Sequence, residues 1–167
     1  MEIPRKLARF LKKHKVYYQI LVHPQTFTST ETAQVGHISG KEFAKAVMIK
    51  ADGKDAMAIL PSDRTIDLFK LGDVLGTNNI QIEEEKEFKD LFPDCEAGAM
   101  PPFGKLYYLP CYVDESLKEN EKVYFNAGNH QECIQVYTQD FLRVVKGITG
   151  DFSVLGKKIH EKEKTRL

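Results

Sequence analysis

The 167-residue chain has no tryptophan, three cysteines and no surplus of either charge, with Lys plus Arg and Asp plus Glu at 24 each. The even balance excludes the global basic excess of proteins that coat nucleic acid, so contact with a polynucleotide has to be local. Cys95, Cys111 and Cys133 are odd in number and widely spaced, with no C-x-x-C pair, and no secretory leader is expected. That pattern predicts free thiols in a reducing cytoplasm rather than a disulfide framework. Apolar runs stop far short of the ~20 residues needed to cross a bilayer, and the expectation is a soluble chain without membrane contact. The five histidines, His14, His23, His37, His130 and His160, show no metal-ligand spacing, so no metal is expected. Glycine-rich phosphate loops and a G-x-S-x-G elbow are both missing. A nucleotide cofactor and a serine nucleophile therefore have no support, and no cofactor is expected.

What is present reads as one domain over 1–146 with a charged extension over 147–167, since a chain of this length fits one core. Ile3, Leu7, Phe10 and Leu11 recur at helical spacing among lysines and arginines, predicting an amphipathic helix over 3–14 whose basic face is solvated. VYYQILV (16–22) predicts a strand that stops at His23-Pro24. Thr28 to Glu31 has the form of a capping box for a short helix reaching Val35. Asp52-Gly53 predicts a hairpin turn between the strand that carries Lys45 and a strand over 56–60. Asp63 or Thr65 is then expected to cap a helix through Ile66 to Leu71. Further on, the pattern predicts a weak strand at 78–82, an acidic helix at 83–92, and a strand at 106–113 broken by Pro110. Strands at 121–126 and 133–137 follow, then a closing helix capped by Thr138. The segment from Gly147 reads as a peripheral tail. Strands outnumber crossover helices, so a mixed α+β sheet is expected.

Two segments stand out chemically. In GKEFAKAVMIK (40–50), Lys45 interrupts an apolar strand, and a charge there needs a partner or a cleft. In GAMPPFG (98–104), glycines bracket a Pro-Pro turn that leaves backbone N–H groups accessible to a ligand. With the polar turn at 126–130, these can bind a phosphate, polarise a carbonyl and hold a water. That suffices to hydrolyse an activated ester by positioning and electrostatics. The bland alternatives are a lysine snorkelling from a sheet edge and an ordinary tight turn.

The order HPQTFTSTETA, GKEFAKAVMIK, GAMPPFG and VYFNAGNHQECIQV, followed by a closing helix, resembles the YbaK and prolyl-tRNA synthetase-associated editing domains. The resemblance spans about Val16 to Val145. It implies a mixed, partly barrel-like sheet flanked by helices, and a free-standing deacylase that removes a wrong small amino acid from transfer RNA. By the same resemblance Lys45 holds the phosphate of the terminal adenosine. The segment from Gly98 through Ala99 to Gly104 binds the ester carbonyl and orients water, and Gly128 and His130 line the amino-acid pocket. His23, Phe27, Thr28, Pro102, Phe103 and Cys133 are the other expected substrate contacts. The implied partners are the misacylated tRNA acceptor end and an aminoacyl-tRNA synthetase, with the protein itself a monomer. Cys133 stands where some relatives carry aspartate, and Ala99 replaces a glycine of their loop. Those departures favour an alternative, a non-catalytic module of the same fold that binds an aminoacyl or nucleotide end. A third reading makes Tyr107, Tyr108 and Tyr112 a partner surface, although core and cross-strand packing explains tyrosines there more simply.

Overall fold

The computed structural model describes residues 3–24, 26, 28, 32–33 and 37–156. Its elements run α1 (Arg5–Lys13), β1 (Tyr18–Val22), β2 (Phe43–Ala51), β3 (Lys54–Pro61), β4 (Arg64–Ile66), α2 (Leu68–Leu75), β5 (Ile80–Ile82) and α3 (Glu85–Phe88). They continue with β6 (Cys111–Asp114), β7 (Lys122–Asn126), β8 (Glu132–Tyr137), α4 (Thr138–Val145), β9 (Ile148–Gly150) and β10 (Ser153–Leu155). One mixed sheet has the order β1-β8-β7-β2-β3-β6-β9, with β5 added to β2, and β4 pairs with β10 apart from it. The architecture is the expected α+β one. Among the described residues the sheet order is open, with β1 and β9 at its edges, and no closed barrel forms.

Alternation along β2 divides the core. Ala44, Ala46 and Met48 face a main cluster with Leu7, Phe10 and Leu11 of α1, Phe141 and Val144 of α4, and Phe103. Val47, Ile49 and Ala51 face a second cluster with Leu71 of α2, Ile66 and Phe152. Phe43, on that second face but farther along, packs with Ala33 and Cys133.

Several boundaries differ from the sequence reading. Residues 64–66 form a strand, and Asp67 caps α2 by accepting from the N–H groups of Phe69 (3.0 Å) and Lys70 (3.2 Å). β-Branched Thr65 and Ile66 pair with β10, which outweighs the helical periodicity. The acidic stretch at 83–92 is divided into α3 and a 3-10 turn at Lys89–Leu91. Of the strand expected at 106–113 only the part after Pro110 forms, as β6: Gly104–Tyr107 is a 3-10 turn closed by Tyr108 at φ 58, and the strand starts at Cys111. Thr138 begins α4, but its hydroxyl caps nothing. Residues 148–155 are not a loose tail. β9 lies parallel to β6, β10 pairs β4, and Phe152 between them is fully buried. The expected capping box at 28–31 involves Glu31, which lies outside the described residues, as does the charged stretch 157–167.

Glu83, just past β5, is buried to 6 % exposure against Asp55. While Glu83 is ionised, neither of its oxygens nor Asp55 Oδ1 has a hydrogen-bond partner among the described residues, and a proton taken up by Glu83 can bridge it to Asp55. Burial, then hydrogen bonding to Asp55 and its charge, push the Glu83 carboxyl from 4.5 up to about 7, with Glu87 adding and Lys50 opposing. The folded chain therefore keeps this proton where the unfolded chain has lost it. The stability it gives is full below pH 4.5 and is lost as pH rises through about 7. Water at the sheet edge screens part of the effect. Glu83→Gln is expected to exceed wild type at pH 8 by about 1 kcal/mol, the gain fading by pH 5. Thermal melts at the two pH values check this.

Candidate functional site

Lys45 is half-buried in β2, opposite Leu60 of β3. On its other side β2 runs parallel to β7, with Phe43 against Tyr124 and Ala44 against Phe125. One step further along that register sets Lys45 beside Asn126, the last residue of β7. Asn126 in turn faces Cys133 of β8. Pleating places Lys45, Asn126 and Cys133 on one face, away from the main core. Asn126 is 4 % exposed and stands at the base of the turn 127–131. In the sequence it reads only as the first residue of a polar turn. Its position beside Lys45 depends on a parallel pairing between strands some eighty positions apart, and no local signal carries that.

The turn and the 98–104 segment are clamped together. Glu96 N–H donates to the Gly128 carbonyl (2.8 Å), and Gly128 N–H donates back to the Ala99 carbonyl (2.9 Å). His130 N–H donates to Glu96 Oε1 (3.1 Å), and its Nε2–H donates to the Ala97 carbonyl (2.7 Å). That bond makes Nδ1 the acceptor side of the neutral ring. On the other flank Thr26 N–H donates to the His130 carbonyl (3.0 Å) and His23 N–H to the Gln131 carbonyl (2.8 Å). His130 is thus a buried hub joining three segments.

Gly128 allows this approach because it has φ +94, and a Cβ there would fall 2.8 Å from the Pro4 ring. Gly98, at φ +77, takes the third position of the turn closed by Ala99 N–H to the Glu96 carbonyl (3.1 Å). That bond occupies the Ala99 N–H. Phe103 N–H goes to Pro101 and Gly104 N–H to Cys111 Sγ (3.1 Å), while Pro101 and Pro102 have no N–H to offer. Gly98 and Met100 remain as the two amide donors of the segment that no acceptor among the described residues takes.

The other expected site residues are placed differently from one another. His23 is buried, its Nδ1–H donates to the Pro24 carbonyl (2.8 Å), and its Nε2 has no partner among the described residues. Thr28 accepts Thr32 N–H and hydroxyl at its carbonyl, both at 3.0 Å. Phe27 lies outside the described residues. Pro102 is buried, and the Phe103 ring is 1 % exposed among Phe10, Phe125 and Phe141, so it anchors the segment in the core. Cys133 is buried beside Ala33 and Phe43. Tyr107 is buried and Tyr108 is 98 % exposed.

Burial pushes the thiols up, Cys95 to about 12 and Cys111 and Cys133 each to about 11. A thiolate nucleophile is therefore not populated at neutral pH. The described residues contain no cluster of three or more metal-ligating side chains and no helix long and apolar enough to cross a membrane. A cavity of about 200 Å3 reaches the segment at Met100 and is also walled by Phe88, Phe92 and Glu96. Lys45 does not line it.

An α+β sheet carries a lysine on one strand, and a glycine-proline segment is clamped to the polar turn that follows the neighbouring strand. Residues 23–144 match the model of the family described as aminoacyl-tRNA editing domain, and the chain belongs to that family. Solved structures share the fold. One, described as a hypothetical protein, has a TM-score of 0.80 at 18 % identity, covering 90 % of this chain and 100 % of its own. Another is described as a candidate trans-editing enzyme for prolyl tRNA synthetase, with a TM-score of 0.78, 19 % identity and coverage of 90 % and 96 %. A third, a candidate signal transduction protein from Marinobacter aquaeolei VT8, has a TM-score of 0.71 at 18 % identity; the match covers 92 % of this chain and 31 % of that one.

Proposed function

We propose that the protein is a trans-acting deacylase that hydrolyses the ester between a wrong small amino acid and the terminal adenosine of transfer RNA. The observation that carries this reading is the clamp on 96–100, which leaves the Gly98 and Met100 N–H groups as donors next to His130. Two preorganised amide donors suit the oxyanion of a tetrahedral intermediate. Water adds to the ester carbonyl carbon, the two N–H groups hold the resulting oxyanion, and the bond to the ribose oxygen breaks. The proton of the attacking water passes through the neighbouring ribose hydroxyl to that leaving oxygen, giving free amino acid and an intact diol. Lys45 holds the terminal phosphate as a point charge. His23 Nε2 offers an acceptor for the substrate ammonium.

Editing of this kind answers a limit of synthetases, for which one methylene is worth only ~1–3 kcal/mol of discrimination. Wild-type protein, given transfer RNAs charged with alanine, cysteine, serine or threonine, is expected to release at least one of them about tenfold or more above the spontaneous rate. Folded protein that binds the RNA yet releases none would overturn the enzyme and leave the binding module. Such an enzyme would act in the cytoplasm beside a synthetase and needs no cofactor.

A further inference from the structure

Helix α1 is basic on its exposed side and carries no acidic residue. Arg5, Lys6, Arg9, Lys12 and Lys13 lie on it, His14 and Lys15 follow directly, and residues 3–15 contain no Asp or Glu in a chain that is neutral overall. A solvated helix face ordinarily mixes both signs, because alternating charges support one another at i, i+4.

Other elements add cations at its far end. Phe10 stacks on His14 (4.7 Å) and on Phe103 (5.2 Å), which brings Lys105 alongside, just past the 98–104 segment. Phe103 also packs on Phe141 (5.7 Å), which brings up Arg143 and Lys146 from α4 and its end. Loss of hydration and then the charges of Lys105, Lys13, Lys146 and Arg143 hold the His14 pKa below its usual value, as expected where cations converge. Two of these cations have counter-charges: Lys6 meets Asp94 at 3.8 Å and Arg143 meets Asp140 at 2.9 Å. Arg5, Arg9, Lys12, Lys13, Lys15, Lys105 and Lys146 are all on the surface, and none has an ion pair among the described residues.

The patch points at the candidate site. Pro4, at the start of α1, abuts Gly128 of the clamped turn, and the helix runs from there for about 14 Å. Over that axial length one strand of a duplex carries about four phosphates. The apolar side of α1 is already used, with Leu7 and Leu11 at 0 % exposure and Phe10 at 7 %. It has no free apolar face with which to enter a membrane.

We propose that the exposed side of α1, with Lys105 and Lys146, forms a track for the phosphate backbone of double-helical RNA leading into the candidate site. The inference rests on the deacylase reading, and its occupant is the paired stem of the same RNA whose end enters the site. The track supplies affinity without reading sequence, because phosphates are alike along the duplex.

The test compares wild type, Arg9→Gln/Lys12→Gln/Lys13→Gln, Lys105→Gln/Lys146→Gln, and a control outside the track, Lys54→Gln/Lys118→Gln. Binding of uncharged transfer RNA is followed by fluorescence anisotropy over a salt series, with thermal melts to verify folding. Both track variants are expected to bind about tenfold or more weakly at low salt. The slope of log K against log salt should become shallower by about 0.7–0.9 for each phosphate that the variant no longer neutralises, with the control unchanged. The advantage of full-length misacylated RNA over a single-stranded misacylated end fragment, in kcat/KM, should shrink by the same factor. Unchanged binding and slope in folded track variants would overturn the track, as would equal losses in the control. Binding to vesicles containing anionic lipid that disappears in the track variants, with RNA binding intact, would overturn it in favour of a membrane surface. If wild type hydrolyses no ester, the deacylase reading fails on its own while the anisotropy series still decides the track.

Discussion

Lys45→Ala is expected to lower kcat/KM for ester hydrolysis by about 100- to 1000-fold while leaving the melting temperature nearly unchanged. Lys45 is half-buried between the cluster around Phe43 and the one around Val47 and Ile49, so its side chain belongs to neither core as a packing element. Removing an ammonium that holds a phosphate in a partly desolvated site removes a charge-assisted contact and strands the phosphate. That combination costs about 2–5 kcal/mol. Lys45→Met keeps the length of the stem without the charge and should behave like the alanine variant. Lys45→Arg should recover little, because a planar fork does not replace a compact point charge at this position. Single-turnover hydrolysis of a misacylated RNA, with melts on the same samples, checks all three. Activity of Lys45→Ala within threefold of wild type would remove the lysine from the mechanism.

The second large effect belongs to Phe103. Its ring meets Phe10 at 5.2 Å, Phe125 at 5.2 Å and Phe141 at 5.7 Å, so one side chain ties α1, β7 and α4 to the 98–104 segment. Phe103→Ala should destabilise the fold by about 3–5 kcal/mol, the usual cost of deleting a buried aromatic ring. For a chain of this size that is a fall of roughly 10 °C or more in Tm. Because the ring anchors the segment that carries the Gly98 and Met100 donors, hydrolysis should also fall well below the melting range. Phe103→Leu, which keeps much of the volume, should recover most of both. Urea unfolding of the three proteins measures the first effect and hydrolysis at 20 °C the second. A loss of under about 1 kcal/mol in Phe103→Ala would mean that the site collapses around the gap and that the segment is held by its backbone clamp alone.

Much of the fold was legible locally. α1 was visible because Leu7, Phe10 and Leu11 repeat at helical spacing, and the β2–β3 hairpin because Asp52-Gly53 separates two apolar runs. The boundary at Asp67 was missed for a nonlocal reason: Thr65 and Ile66 become strand only when residues 153–154 arrive beside them. The expected tail is β9 and β10 for a similar reason, since three-residue strands carry too few positions to show a period and form only against β6 and β4. At the candidate site, the clustering of glycine and proline at 98–104 was visible. Which N–H groups remain available was not, because it depends on hydrogen bonds made to Glu96, Pro101 and Cys111.

The sequence by itself determined that the chain is an α+β protein of the editing-domain family, with an isolated lysine at 45 and a constrained turn at 98–104. Those properties reside in short segments, where periodicity, turn chemistry and motif order act over a few residues. Tertiary structure alone decided that Asn126 stands beside Lys45, that His130 joins three segments, and that Lys105 and Lys146 come near His14 at the end of α1. Each of those juxtapositions joins residues far apart in the chain. It is set by the parallel pairing of β2 with β7 and by the packing of Phe10, Phe103 and Phe141, and distant contacts of that kind leave no periodic trace in the residues that make them.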